Sequence, residues 1–388
     1  MRLTKDQLNR LEKKYNVDRI WSFSRLGTWH NCPAEYYHKY FLHEPLSSSN
    51  AYTYWGTIAH DLVESVADGE LEPSLASKKW EEAVDEWRKD PDALQFDTTK
   101  IKRGYLNNLK LYFNDIEGPK EIGSLQQIKN EKPVMVKLGK RENGLPKYVF
   151  VGYIDTFAKD SDGAVLIDYK TSSKSGFTGT KLEEKSLQLM LYAIGIHQTM
   201  GIPYDKIECR FDMMKYCEVH FKQENGKWKT SVQERCNWVS KMSKKFTTKL
   251  KKLGYDSDRI EEMVSLAAMS NDISNLPQEV QDQFKICTYY IELDVNEESC
   301  QQVAKLVTER CDKIVEFEGL PKYEQEGWLS IHSRYDEKNY YDTHLCSWHT
   351  SKEFKRQEGL LKEELEPEFE LAGLFGDDND DLDLAGLF

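Results

Sequence analysis

Three residues carry the first chemical signal. Asp155 lies in an apolar-rich run from Tyr148 to Ala158, and Asp168 and Lys170 close a second run that starts at Ala164. Asp160-Ser161-Asp162-Gly163 between them spells a turn, so the stretch reads as a β-hairpin. Strand side chains repeat every two residues, which puts Asp168 and Lys170 on one face and Tyr169 on the other. Two carboxylates and an ammonium on one sheet edge are costly to desolvate unless something compensates, and a hard divalent cation does so. A surface ion pair between Asp168 and Lys170 fits the same pattern, so the hairpin alone leaves both readings open.

The elements that position these residues are legible on both sides. Ile128 to Leu138 reads as a strand, and with a turn at Glu142-Asn143-Gly144 it completes a three-stranded antiparallel meander with the hairpin. After Lys170 a polar loop, TSSKSGFTGTK, leads to the helical segment KSLQLMLYAIGIHQTMGI, which sets Gln188 and Tyr192 on one face. A further strand, KIECRFDMMKYCEVHF, ends before the turn at Asn225-Gly226. Residues 231 to 253 read as a Lys-rich helix bearing Lys241, Lys244 and Lys245; a solvated face and a channel for a single strand both fit it. Residues 257 to 320 are mainly helical, with one apolar run from Ile286 to Leu293.

Upstream, WSFSRLGTWHNCPAEYYHKYFL (residues 21 to 42) reads as a helix capped by Ser24, its aromatic stripe suited to core packing. A second helix, opening after Gly56, carries His60 and Glu64 one turn apart on one side. Residues 75 to 118 are helical, broken at Asp90-Pro91, with Trp80, Trp87, Tyr105, Leu109 and Tyr112 as buried anchors. The expected division is a helical region over 1–125 that contributes His60, a core sheet with the Gln188 helix over 126–230, a helical region over 231–360, and an acidic tail over 361–388.

The 388 residues suffice for a large core, as one elaborated α/β domain or as two. No stretch spans a membrane, and MRLTKDQLNRLEKKYNV is a charged amphipathic helix without an apolar leader core, so the expected location is the cytoplasm. Eight scattered cysteines without a C-x-x-C pair favour reduced thiols there and give no free-standing zinc signature. The net charge of -13 argues against nucleic acid until its placement is considered: ten acids and no Lys or Arg lie between Glu363 and Phe388, and without them the remainder carries -3. A nearly balanced body still presents local basic surface.

Four separated motifs fall in a fixed order: Ser22, Ser24 and Leu26 followed by Cys32, Pro33, Tyr36 and Tyr37; Gly56, Thr57 and His60; Gly152 and Asp155 with Asp168, Tyr169, Lys170 and Thr171; and Gln188 with Tyr192. With the two aspartates thirteen positions apart, the set resembles the RecB-like branch of the PD-(D/E)XK nucleases, over roughly residues 20 to 200 and more faintly around Cys346. The resemblance implies an α/β fold, a restriction-endonuclease-like core with a central mixed sheet flanked by helices and helical elaborations at both ends. It further implies that His60, Asp155, Asp168 and the backbone carbonyl of Tyr169 ligate Mg²⁺ or Mn²⁺. Lys170 would hold or help deprotonate the attacking water, Gln188 and Tyr192 would position the DNA backbone, and Glu64 would add an outer contact. Asp160 and Asp162 are read as solvated turn residues.

Several members of that branch hold an iron-sulfur cluster on one cysteine of the C-P motif and three near the C-terminus. Here Cys32 matches the first, but of the other three positions only Cys346 is a cysteine, with His349 and Lys355 at the remaining spacings. Four thiolates are the usual requirement, so no cluster is expected and Cys32 reads as a buried apolar residue.

The acidic tail cannot bury enough apolar surface to fold alone and is expected to be disordered. It repeats a peptide, Glu370 to Phe375 and Asp383 to Phe388. Leu371, Leu374, Phe375, Leu384, Leu387 and Phe388 would enter a hydrophobic pocket of a partner, and the repeat is similar to the peptides by which replication proteins hold a sliding clamp. The rival reading is that the acids occupy a basic cleft in place of DNA. Together these readings give a metal-dependent deoxyribonuclease, an exonuclease on single-stranded or frayed DNA ends in replication, repair or recombination. A DNA-binding, clamp-tethered adaptor on the same fold and a nuclease for RNA or flaps are the alternatives.

Overall fold

Alternating apolar residues build a six-stranded sheet in which β1 (Gln127–Leu138), β2 (Tyr148–Lys159) and β3 (Ala164–Tyr169) form the expected antiparallel meander. The structure is a computed structural model and describes residues 2–46, 50–116, 127–159 and 163–360. The turn residues Asp160, Ser161 and Asp162 and the whole tail with its repeated peptide lie outside the described residues.

Beyond β3 the chain crosses back through the helix Gly179–Met200 and lays β4 (Ile207–Lys222) parallel to β3. A parallel neighbour requires such a crossover. β4 is the hub of the sheet: its first half pairs with β3, its second half with β5 (Trp228–Glu234), and both halves pair antiparallel with β6 (Phe284–Leu293). Two expectations change here. β3 lies between β2 and β4, so Asp168 stands at the end of an interior strand and not on a sheet edge. Residues 231–234 belong to β5, and the Lys-rich helix starts only at Trp238; β5 is polar and half-exposed, so it lacks the apolar alternation that marks a strand.

The helices are α1 (Lys5–Tyr15), α2 (Phe23–Asn31), α3 (Pro33–Tyr36), α4 (Ala51–Ala67), α5 (Pro73–Lys89), α6 (Thr99–Asn114) and the crossover α7. After β5 come α8 (Trp238–Lys252), α9 (Ser257–Ser270), α10 (Gln278–Gln281), α11 (Glu297–Glu318), α12 (Lys322–His332) and α13 (Lys352–Gln357). None of the described helices is long and apolar enough to cross a membrane. The segment 21 to 42 is not one helix: Ser22, not Ser24, accepts the Arg25 amide and caps α2, and the chain breaks at Cys32 before Pro33. The helix carrying His60 begins at Ala51, capped reciprocally by Asn50 and Thr53, and runs straight through Gly56. A mid-helix glycine costs about 1 kcal/mol, less than the roughly 2–3 kcal/mol gained by burying a side chain such as Trp55 or Val63 in the same helix. The crossover helix likewise starts earlier than expected, at Gly179.

Helices cover both faces of the sheet. On one, α7, α2 and α11 pack against Leu166, Phe211 and Met213; on the other, α4, α5 and α6 bring Trp55, Trp80, Trp87, Tyr105, Leu109 and Tyr112 against Val165, Ile167 and Tyr169. A third core forms where α8, α9 and α10 cover Cys217, Val219, Phe221 and Phe284. Two glycines set how closely α7 approaches the sheet. A Cβ at Gly195 would stand 2.5 Å from Val134, and one at Gly152 would stand 2.3 Å from the Tyr192 ring.

Candidate metal-dependent active site

Alternation along β3 sends Val165, Ile167 and Tyr169 into the α4–α6 core, so Asp168 and Lys170 face the α7 side. The Lys170 backbone is clamped by β4: its amide donates to the Asp212 carbonyl at 2.8 Å, and its carbonyl accepts from the Met214 amide at 3.1 Å. The Lys170 ammonium lies over the Phe211 ring, 5.6 Å from the centroid, and spans the buried Asp168 carboxylate at 2.7 Å to Oδ1 and 2.6 Å to Oδ2. Tyr169 points the opposite way, as expected, and its hydroxyl donates to Thr156 Oγ1 at 3.1 Å.

Asp155 on β2 and His60 on α4 complete the group. Asp155 Oδ2 accepts the Tyr169 amide at 3.1 Å and stands 3.3 Å from His60 Nδ1. Opposite Asp155, Glu131 on β1 holds φ at +46°. A non-glycine residue in the left-handed region carries strain, and such residues collect at functional sites. A pocket of about 620 Å³ opens beside this group and is lined by His60, Asp155, Glu131, Glu64, Asp61, Thr57, Thr53 and Arg2. Sequence reasoning missed Arg2 and Glu131. They are joined at 3.1 Å across most of the N-terminal half, and no local motif marks either.

The electrostatics follow from crowding two acids around one ammonium. Burial, then the charge of Asp168, hold the Asp155 carboxyl well above the ordinary aspartate value. Burial pushes the His60 imidazole below the usual histidine value, against the pull of Asp168 and of a hydrogen bond to the Tyr169 backbone. The imidazole is therefore neutral near pH 7, the form that ligates a metal. Burial, followed by Glu131, raises Glu64. Lys185 on α7 is drawn below the usual lysine value by desolvation and then by Lys170.

A hard cation fits this donor set. Burial and the neighbouring Asp168 raise the Asp155 carboxyl because positive charge is short here, and carboxylate and carbonyl oxygens with one imidazole are ligands that a divalent ion accepts. The donor atoms of His60, Asp155 and Asp168 do not all fall within 4.8 Å of one another; among the described residues the group that does is Cys32, Cys346 and His349.

The other predicted residues separate into two places. Gln188 donates to the Tyr192 hydroxyl at 3.2 Å, and Tyr192 is buried against Gly152 beside the two aspartates. Lys241, Lys244 and Lys245 are exposed on α8, over the far half of β4. There Lys245 and its helix neighbours Lys249 and Lys252 line a separate groove with Lys222.

The site thus sets two strand-borne carboxylates, and a lysine two residues past the second, at the end of a strand inside an α/β sheet. Residues 20–323 match the PD-(D/E)XK nuclease superfamily, and the chain belongs to it. No curated protein matches the chain.

Proposed function

We propose that the protein is a deoxyribonuclease that uses Mg²⁺ or Mn²⁺ to hydrolyse DNA as an exonuclease, on single-stranded or frayed ends, in replication, repair or recombination. The observation that carries this reading is the convergence of His60, Asp155, Asp168 and Lys170 at the end of β3. His60, the two carboxylates and the Tyr169 carbonyl would hold the cation. Once bound, such an ion polarises a phosphate oxygen and makes water nucleophilic near neutral pH.

The chain's own groups do the rest. Lys170, fixed at both backbone ends by β4, presents a cation that orients the attacking water and offsets negative charge building on the phosphorus oxygens. Gln188, beside the aspartates through Tyr192, would hold the backbone of the strand being cut. The completeness of the catalytic set argues against a DNA-holding adaptor.

The deciding experiment is a divalent-dependent time course on end-labelled linear and on circular DNA, each single- and double-stranded. Mononucleotides released from linear single strands, with circles left intact, are the expected result. Circles cut as fast as linear strands would make the enzyme an endonuclease, and degradation of RNA alone would remove DNA as its substrate. Retained cleavage in Asp168→Ala would remove the site itself.

A further inference from the structure

The break at Cys32 between α2 and α3 brings that thiol to the far end of the chain. Cys32 Sγ lies 3.4 Å from Cys346 Sγ and 3.9 Å from His349 Nε2. All three side chains are buried, and their donor atoms lie within 4.8 Å of one another. They sit in a small core of their own with Ala34, Trp348 and Phe354, apart from the hydrolytic site.

We infer that Cys32, Cys346 and His349 form a mononuclear zinc site, with a water completing the tetrahedron. Zinc sits about 2.3 Å from thiolate sulfur and about 2.0 Å from imidazole nitrogen, so tetrahedral angles place two sulfurs about 3.8 Å apart and sulfur and nitrogen about 3.5 Å apart. The observed S–S separation of 3.4 Å is a little short of its edge and the S–N separation of 3.9 Å a little long, and an adjustment of about 0.4 Å in each centres the ion. Two soft thiolates and one imidazole also select zinc over the hard cations suited to Asp155 and Asp168. An iron-sulfur cluster does not fit, since its usual requirement is four thiolates and this group supplies two.

The surroundings are those of a metal ligand set. His349 Nδ1 faces the buried carboxylate of Asp342 at 3.0 Å, which leaves Nε2 to ligate and fixes the ring. The Glu35 amide donates to Cys32 Sγ at 3.3 Å and the His349 amide to Cys346 Sγ at 3.4 Å, bonds that favour thiolates. The buried Glu35 carboxylate ties down the same loop, accepting from Tyr341 Oη at 2.7 Å and from Ser347 Oγ at 2.6 Å. Binding releases the two thiol protons to solvent and leaves a neutral centre. The site joins segments 314 residues apart and so staples the α2–α3 corner to the C-terminal helices.

The full-length chain, purified from zinc-supplemented medium and passed through EDTA, is assayed for metal by inductively coupled plasma mass spectrometry. One zinc per chain is expected in the wild type and in Asp155→Asn, and none in Cys346→Ser. Cobalt substitution should give thiolate-to-cobalt charge-transfer absorption and intense visible bands, and His349→Cys should retain the metal where His349→Ala loses it. Should the serine variant fail to fold, the wild type decides alone. A wild-type chain at background zinc without a cobalt spectrum, one carrying iron with acid-labile sulfide, or one whose mass after denaturing alkylation shows a Cys32–Cys346 disulfide overturns the assignment. Zinc retention in Asp155→Asn separates this result from the fate of the nuclease reading.

Discussion

His60 Nδ1 stands 3.3 Å from Asp155 Oδ2, so a helix laid across the sheet delivers a nitrogen to a carboxylate that its own strand leaves short of positive charge. Placement of α4 therefore matters as much as the hairpin. The register that buries Trp55, Ala59 and Val63 puts His60 on the flank facing β2. A shift of one residue along α4 would turn His60 away by about 100°.

Asp155→Asn should abolish cleavage yet stabilise the metal-free protein, by about 1 kcal/mol. Asparagine still accepts the Tyr169 amide but removes a charge that burial and Asp168 oppose. Thermal unfolding in EDTA measures it. A midpoint below the wild type would contradict the electrostatic account.

The same group fixes a pH dependence. Because its pKa is raised in the folded chain, Asp155 binds its proton more tightly folded than unfolded. Its contribution to stability is complete below about pH 4 and is lost as pH rises from there through the raised folded value. Metal binding displaces that proton. Affinity for Ca²⁺, used as a non-hydrolytic probe in calorimetry, should rise from pH 5 to pH 8, with proton uptake by buffers of different ionisation enthalpy.

Much of this centre was legible in the sequence because it is local. Asp155, Asp168 and Lys170 follow the period-two alternation of strands, which can be read without knowing the tertiary context. The start of α4 was misplaced because Gly56 reads as a boundary, although Asn50 and Thr53 spell its true cap. Ser22 and Ser24 compete for one cap and lie 3.0 Å apart, and only the geometry separates them. The Cys32, Cys346 and His349 cluster left two traces, a C-x-x-H spacing at its C-terminal end and the match of its members to the cluster positions of the resembled branch, but neither tells that the two thiols meet, since Cys32 lies 314 residues from Cys346. Arg2 and Glu131 left none.

Lys170→Met should lower the cleavage rate by about 100- to 10,000-fold while leaving Ca²⁺ affinity within a few-fold of wild type. In the proposed mechanism the ammonium acts on water and on the phosphate, and the residues proposed to ligate the cation are others. Single-turnover kinetics with calorimetry tests it. A variant that loses metal binding and cleavage together would make Lys170 a structural partner of Asp168 and nothing more.

Gly152→Ala probes how α7 is docked. The added methyl would come within 2.3 Å of the Tyr192 ring, which has no free space to yield because it is buried against the sheet and its hydroxyl is held by Gln188 at 3.2 Å. Overpacking of this kind costs about 1–3 kcal/mol. Moving Tyr192 also moves Gln188, so the variant should weaken binding of single-stranded DNA more than it weakens Ca²⁺ binding, since none of the proposed cation ligands lies on α7. Denaturant unfolding and fluorescence anisotropy with a labelled oligonucleotide in Ca²⁺ measure the two effects. If Tyr192→Phe, which removes the hydroxyl without altering the packing, leaves anisotropy unchanged while Gly152→Ala lowers it, Gln188 acts through the position of the helix and not through its bond to Tyr192.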